Sequence, residues 1–233
     1  MTISDSSCAP AGLPQCTANT GSAGRSETRL GADPIVSLVV HTVFVISGVA
    51  ALLYQLIWQR SLMMIYGSNM ESVAMVVSAF MVGLGLGSMA GGAISKRRGI
   101  PLVLLFSGAE LLIGLYGLFS LQLFHWVGAY TLQAGTLETG LLAFALVFAT
   151  TVFMGATLPL LVAYRVNSTG HVGHSVSGLY FVNTLGGGLG AFLAAFVFLG
   201  QLGMASSVRL AALLNFISAL AILAVWLCRK EKA

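Results

Sequence analysis

Charge is scarce in this chain. Eleven Lys and Arg and seven Asp and Glu make up only 8% of its 233 residues, whereas an average soluble domain carries about 25%. So thin a polar coat excludes an ordinary water-soluble globule. Strand alternation is lacking as well: the apolar runs are continuous, which excludes a closed β-barrel. Cysteine is limited to Cys8, Cys16 and Cys228, with neither ligand spacing nor the pattern of a disulfide framework. His171 and His174 stand three apart in a Gly- and Ser-rich loop without further ligands nearby, so neither a metal site nor a cofactor is expected. No His cluster, Ser and His pair or acid pair lies within the apolar runs, and no catalytic residue is assigned. The cations form short clusters at the ends of apolar segments and not along one face, which argues against a nucleic-acid partner.

What fills the chain is apolar sequence, 57% of it hydrophobic. Runs over residues 35–58, 71–94, 101–124, 137–164, 176–200 and 206–227 reach or exceed the roughly 20 residues a helix needs to cross hydrocarbon. The pattern predicts an all-α integral membrane protein, a six-helix domain over residues 35–228. Residues 1–34 form a Ser-, Thr-, Ala- and Gly-rich tail expected to be disordered, and residues 229–233 a basic C-terminus.

Orientation follows from the cations. With the N-terminus inside, the cytoplasmic segments hold Arg25, Arg29, Lys96, Arg97, Arg98, Arg165, Arg229, Lys230 and Lys232, while only Arg60 and Arg209 lie outside. That asymmetry predicts both termini in the cytoplasm, and the plasma (inner) membrane is the expected location. Trp58, Trp126 and Trp226 fall at or near span ends, as interfacial anchors do, and Gln59 and Arg60 follow Trp58 at the outer boundary. The segment HWVGAYTLQAGTLE after the third span is too short and polar to cross and is expected along the outer surface.

The two halves look alike. Span two carries Gly83, Gly87 and Gly91 at every fourth position, and span five Gly186, Gly190 and Ala194 likewise. Such stripes let helix backbones approach closely, and packing is their expected role. Each glycine-striped span is followed by a span with one polar residue near its middle, Glu110 in one half and Asn215 in the other. A 3+3 inverted repeat is therefore expected. The GGGLG string of span five lacks the preceding strand and later acid of a dinucleotide loop.

A charged acid at mid-bilayer is costly, so Glu110 must be protonated, paired or facing water, and it is the leading candidate for binding a proton or a cationic substrate. An interhelical hydrogen bond that only fixes packing is the competing reading. Tyr54 and Gln55 on span one, Asn183 and Thr184 on span five, and Asn215 are further binding candidates; Tyr54, Gln55 and Trp58 are read as one helical face. Pro159, with Gly155 one turn earlier, is expected to bend span four as a hinge.

The strings LYQLIWQRSLMMIYG, FMVGLGLGSMAGG, AELLIGLYGL, FMGATLPLL and LYFVNTLGGGLGAFLAAFVFL, in that order, resemble the membrane domain of the fused major-facilitator-like/spermidine synthase family. The resemblance covers residues 35–227 and implies a bundle like half of a major facilitator, usually followed by a soluble aminopropyltransferase-like domain. The sequence ends at Ala233, so this polypeptide is not expected to be an aminopropyltransferase itself. Gln55 stands where the family often has Glu, which leaves Glu110 as the acid, and Lys96 stands where facilitator loops usually carry an acid. Two roles follow: a binding or transport module for a polyamine or other organic cation, or a non-transporting subunit that anchors or feeds a separately encoded soluble spermidine synthase-like partner. Besides the lipid bilayer, a transport pathway through six helices calls for a homodimer or second membrane subunit, with the glycine stripes as contacts.

Overall fold

A computed structural model describes residues 34–67, 70–97, 99–131 and 135–230. The N-terminal tail with Cys8, Cys16, Arg25 and Arg29, the residue Arg98, and the C-terminal residues 231–233 lie outside the described residues, as does part of the segment read as surface-lying, 132–134. The described residues are helical, with no strand among them.

Among the described residues, six helices are long and apolar enough to cross a membrane. We label them α1 (Pro34–Tyr66), α2 (Met70–Ser95), α3 (Leu102–Tyr130), α4 (Thr136–Thr169), α5 (Val172–Leu193) and α6 (Gly203–Lys230). α5 continues through a π-helical turn at Ala194–Phe198 and a last turn at Leu199–Gln201, so the fifth span runs Val172–Gln201. The connections are short. Gly170 ends α4 in the left-handed region (φ 73°) and gives its N–H to the carbonyl of Val166 at 2.8 Å, the C-terminal device for which glycine is suited. Gly203 (φ 73°) turns the chain into α6. Consecutive helices thus alternate in direction, giving a Pro34 end and a Tyr66 end.

Lipid offers no hydrophobic drive for helices to associate, so close backbone approach has to supply packing contacts. Here the glycines act. A Cβ added to Gly83, Gly87 or Gly91 would strike Thr151, the Val152 carbonyl or Ala156, so the stripe of α2 lies directly on α4. The stripe of α5 lies on α1 in the same way, Gly186 against Val45 and Gly190 against Val49. The partner helices return the contact: Gly155 of α4 meets the backbone of Leu84, and Gly48 of α1 meets that of Asn183. Both pairs run parallel. α3 packs antiparallel on α6, and α1 and α3 run side by side in parallel.

Three expectations change in three dimensions. Trp58 is not an interfacial anchor: α1 runs on to Tyr66, which leaves Trp58 0% exposed inside the larger core cluster, stacked on Tyr54 at 4.8 Å and edge-on to Tyr116 at 5.5 Å. Gln59 and Arg60 sit within α1 before its end, beside a shallow pocket shared with Ala195 and Leu199 of the π-turn region. The third span does not stop at Phe124 but continues through His125 and Trp126 to Tyr130, because a helix longer than the hydrocarbon thickness can project beyond it. α4 is one helix with Pro159 inside it, and Gly155 one turn earlier meets the backbone of Leu84 on α2. Finally, the glycine stripes are occupied within the chain, so Gly83, Gly87, Gly91, Gly186 and Gly190 are not free to meet a second subunit.

Candidate functional site

The α1–α3 seam holds the polar groups together. Ser47, Tyr54 and Trp58 recur at helical spacing on one face of α1, and each meets a residue of α3. Ser47 Oγ donates to Glu110 Oε1 at 2.7 Å. The Tyr54 ring lies where a Cβ of Gly117 would be, so only glycine fits opposite it. Trp58 Nε1 donates to Ser120 Oγ at 2.9 Å, and Ser120 donates in turn to the Gly117 carbonyl at 2.8 Å.

Glu110 is 0% exposed. One carboxyl oxygen is held by Ser47, while Oε2 is buried without a partner. The residue stands about 12 Å along α3 from Leu102 at 1.5 Å per residue, displaced from the middle of this long helix toward its Pro34 end. Across the antiparallel α3–α6 contact, Ser107 donates to the Ala219 carbonyl at 3.1 Å, a register that sets Glu110 level with Asn215. Asn215 is buried, and its Oδ1 also lacks a partner, as do Tyr54 Oη and Ser218 Oγ. Buried polar atoms left unpaired in a low-dielectric interior are costly, and their concentration on α1, α3 and α6 is what a site for a polar or charged ligand requires.

Beside this group lies a cavity of about 300 Å³, at the lower end of the roughly 300 to 1,000 Å³ usual for small-molecule pockets. Its polar lining comes from Ser47 of α1, Ser88 of α2, Thr157 of α4, Tyr180 and Asn183 of α5, and Asn215 of α6, with Ile113 of α3 adding to an otherwise apolar wall. α2 and α5 make no extended contact with each other among the described residues, and exposed Leu84, Ser88 and Tyr180 rim the cleft between them. Ser47 belongs both to the cavity wall and to the carboxyl of Glu110, so it joins the two.

The candidates named from sequence divide accordingly. Asn183 and Asn215 line the cavity, and Glu110 lies behind it through Ser47. Tyr54 is buried in the seam and is not among the cavity's lining residues. Gln55 is half-buried and is not among the cavity's lining residues. Thr184 is exposed and spends its hydroxyl on the Tyr180 carbonyl of its own helix at 2.9 Å, outside the cavity. His171 and His174 belong to the start of α5, His171 as its N-cap residue, and the described residues contain no cluster of metal ligands. Sequence reasoning missed Ser47, Ser120 and Thr157. The signal for Ser47 was available: it shares the helical face of Tyr54 and Trp58, two and three turns earlier.

No protein-family model matches the chain, and no solved structure matches it. The polyamine aminopropyltransferase of Oceanobacillus iheyensis is similar to it, 29% identical over 168 residues, which make up 72% of this chain and 31% of that protein. The match thus spans about a third of the length of its relative, and links six membrane-capable helices to a polyamine-related protein.

Proposed function

We propose that this bundle binds a small organic cation, of which a polyamine is the leading example, and carries it across the plasma membrane. The observation that carries the reading is Glu110: a fully buried carboxyl with one oxygen held by Ser47 and the other without a partner, behind a cavity walled by Ser47, Asn183 and Asn215. An ionised acid there demands a positive charge, and a protonated one can exchange its proton. The amides and hydroxyls of the wall would orient an ammonium group, and the apolar remainder would take its methylene chain.

The packing supports the inverted repeat. Exchanging the first three helices with the last three turns the α2–α4 pair into α5–α1, and it does so residue by residue: Gly87 on Val152 becomes Gly186 on Val45, and Gly155 on Leu84 becomes Gly48 on Asn183. The cavity is lined by Gly48, Leu84, Gly155 and Asn183, the residues that this exchange interchanges, as expected where transporters of this kind hold their substrates. In this reading both termini are cytoplasmic, and a second copy or another membrane subunit covers the α2–α5 cleft.

Uptake of labelled putrescine or spermidine into liposomes containing the full chain tests the proposal. Uptake by the wild type that is lost in Glu110→Gln is the expected result; equal uptake by both would overturn it. The similarity to a polyamine aminopropyltransferase favours a second reading, in which the bundle performs no aminopropyl transfer but anchors or feeds a soluble enzyme that does. Co-purification of such an enzyme with a chain that transports none of the cations would select it.

A further inference from the structure

Independently of the cavity, the Pro34 end contains a buried cation. Arg60, Lys96, Arg97 and Arg209 are exposed, but Arg165 near the end of α4 is only 6% exposed. Its Nη2 donates to Ser37 Oγ at 3.1 Å, in the first turn of α1, and its Nε is buried without a partner. No acid among the described residues pairs with it. Those acids stand elsewhere: Glu71 and Glu138 open α2 and α4 at the Tyr66 end, and Glu110 is bonded to Ser47.

A guanidinium taken out of water requires a counter-charge and partners for its fork of N–H groups. The first turn of α1 adds to the demand, since the leading N–H groups of a helix have no partner within it and carry the positive end of its dipole. Ser37 is braced there by His41, whose Nδ1 lies 2.7 Å from the Ser37 carbonyl. Exposed Lys96 and Arg97, together with His171 and His174, make the same end attractive to anions. A planar fork beside a helix N-terminus fits a tetrahedral oxyanion.

We propose that Arg165 and the first turn of α1 form a seat for a phosphate group, presented by an anionic phospholipid headgroup or by a free phosphate. The site needs no acid from the protein because the ligand brings the charge.

The test is thermal unfolding of the full chain in an uncharged detergent, titrated with phosphatidylglycerol, with inorganic phosphate, or with a diacylglycerol of the same chains. The expected result is a saturable rise in Tm with phosphatidylglycerol and none with the diacylglycerol, the midpoint being at least about tenfold weaker in Arg165→Gln, as loss of a charge-assisted hydrogen bond implies. A rise with phosphatidylglycerol alone identifies a lipid site; a rise with inorganic phosphate as well identifies a site for the free anion. Should Arg165→Gln not fold, Arg165→Lys, which keeps the charge and loses the fork, and Ser37→Ala provide the same comparison. No rise with either phosphate source, or equal responses in wild type and variants, overturns the proposal. Asp33 directly precedes Pro34 in the sequence, and a response that emerges only in Asp33→Asn would assign the counter-charge to the chain itself and overturn it as well.

Discussion

Ser47 is the residue on which the chemistry of Glu110 turns, because it both lines the cavity and donates a hydrogen bond to the carboxyl. Removing its hydroxyl leaves a second bare oxygen on a buried acid, a loss of about 1 to 3 kcal/mol. Ser47→Ala should therefore weaken binding of the proposed cation roughly tenfold while leaving the helices folded, as equilibrium binding and circular dichroism would show. Trp58 tests the other end of the seam. Trp58→Ala removes the largest fully buried side chain and its bond to Ser120, and should cost about 3 to 5 kcal/mol in denaturant titrations. Trp58→Phe keeps most of the packing, loses the hydrogen bond, and should cost only about 1 to 3 kcal/mol. An interfacial anchor would show neither the size nor the order of these effects.

Between elements, the distinction is between glycines that are covered and glycines that are open. Gly87 and Gly186 have a neighbouring backbone where their Cβ would be, whereas Gly85 and Gly188 are exposed with open space beside them. Gly87→Leu and Gly186→Leu should each separate a helix pair, lowering Tm and broadening the gel-filtration profile in detergent. Gly85→Ala and Gly188→Ala should fold like the wild type. If the cleft between α2 and α5 is covered by a second copy, the latter pair would shift the oligomeric state without changing the fold. The spacing of the stripes was legible in the sequence, but their partners were not, since a row of small residues does not specify which helix fills it.

For the molecule as a whole, the alternation of the six described helices brings the start of α1 and the end of α6 to one end, and the proposed orientation puts that end in the cytoplasm on the strength of the Lys and Arg distribution. Cys228, exposed near the end of α6, should then resist a membrane-impermeant maleimide in intact cells and react after permeabilisation. A cysteine at Gly135, an exposed position at the Tyr66 end where a Cβ has room, should react in intact cells. Labelling of Cys228 from outside would invert the topology, and with it the side to which the Arg165 seat belongs.

The sequence alone determined that the chain is a set of six membrane-capable helices, because burying a backbone in hydrocarbon leaves few ways to satisfy its N–H and C=O groups and continuous apolar runs select the helix. It also singled out Glu110, since an acid among such runs stands out by its cost. Tertiary structure decided what each polar group faces. A helix displays every direction around its axis, and only packing separated Asn183, at the cavity, from Thr184 on the next face, drew Trp58 from a supposed boundary into the core, and brought Ser47 of α1 to the carboxyl of Glu110 on α3. Those outcomes depend on which helices meet and in what register, and that is set by close contacts between residues far apart in the chain.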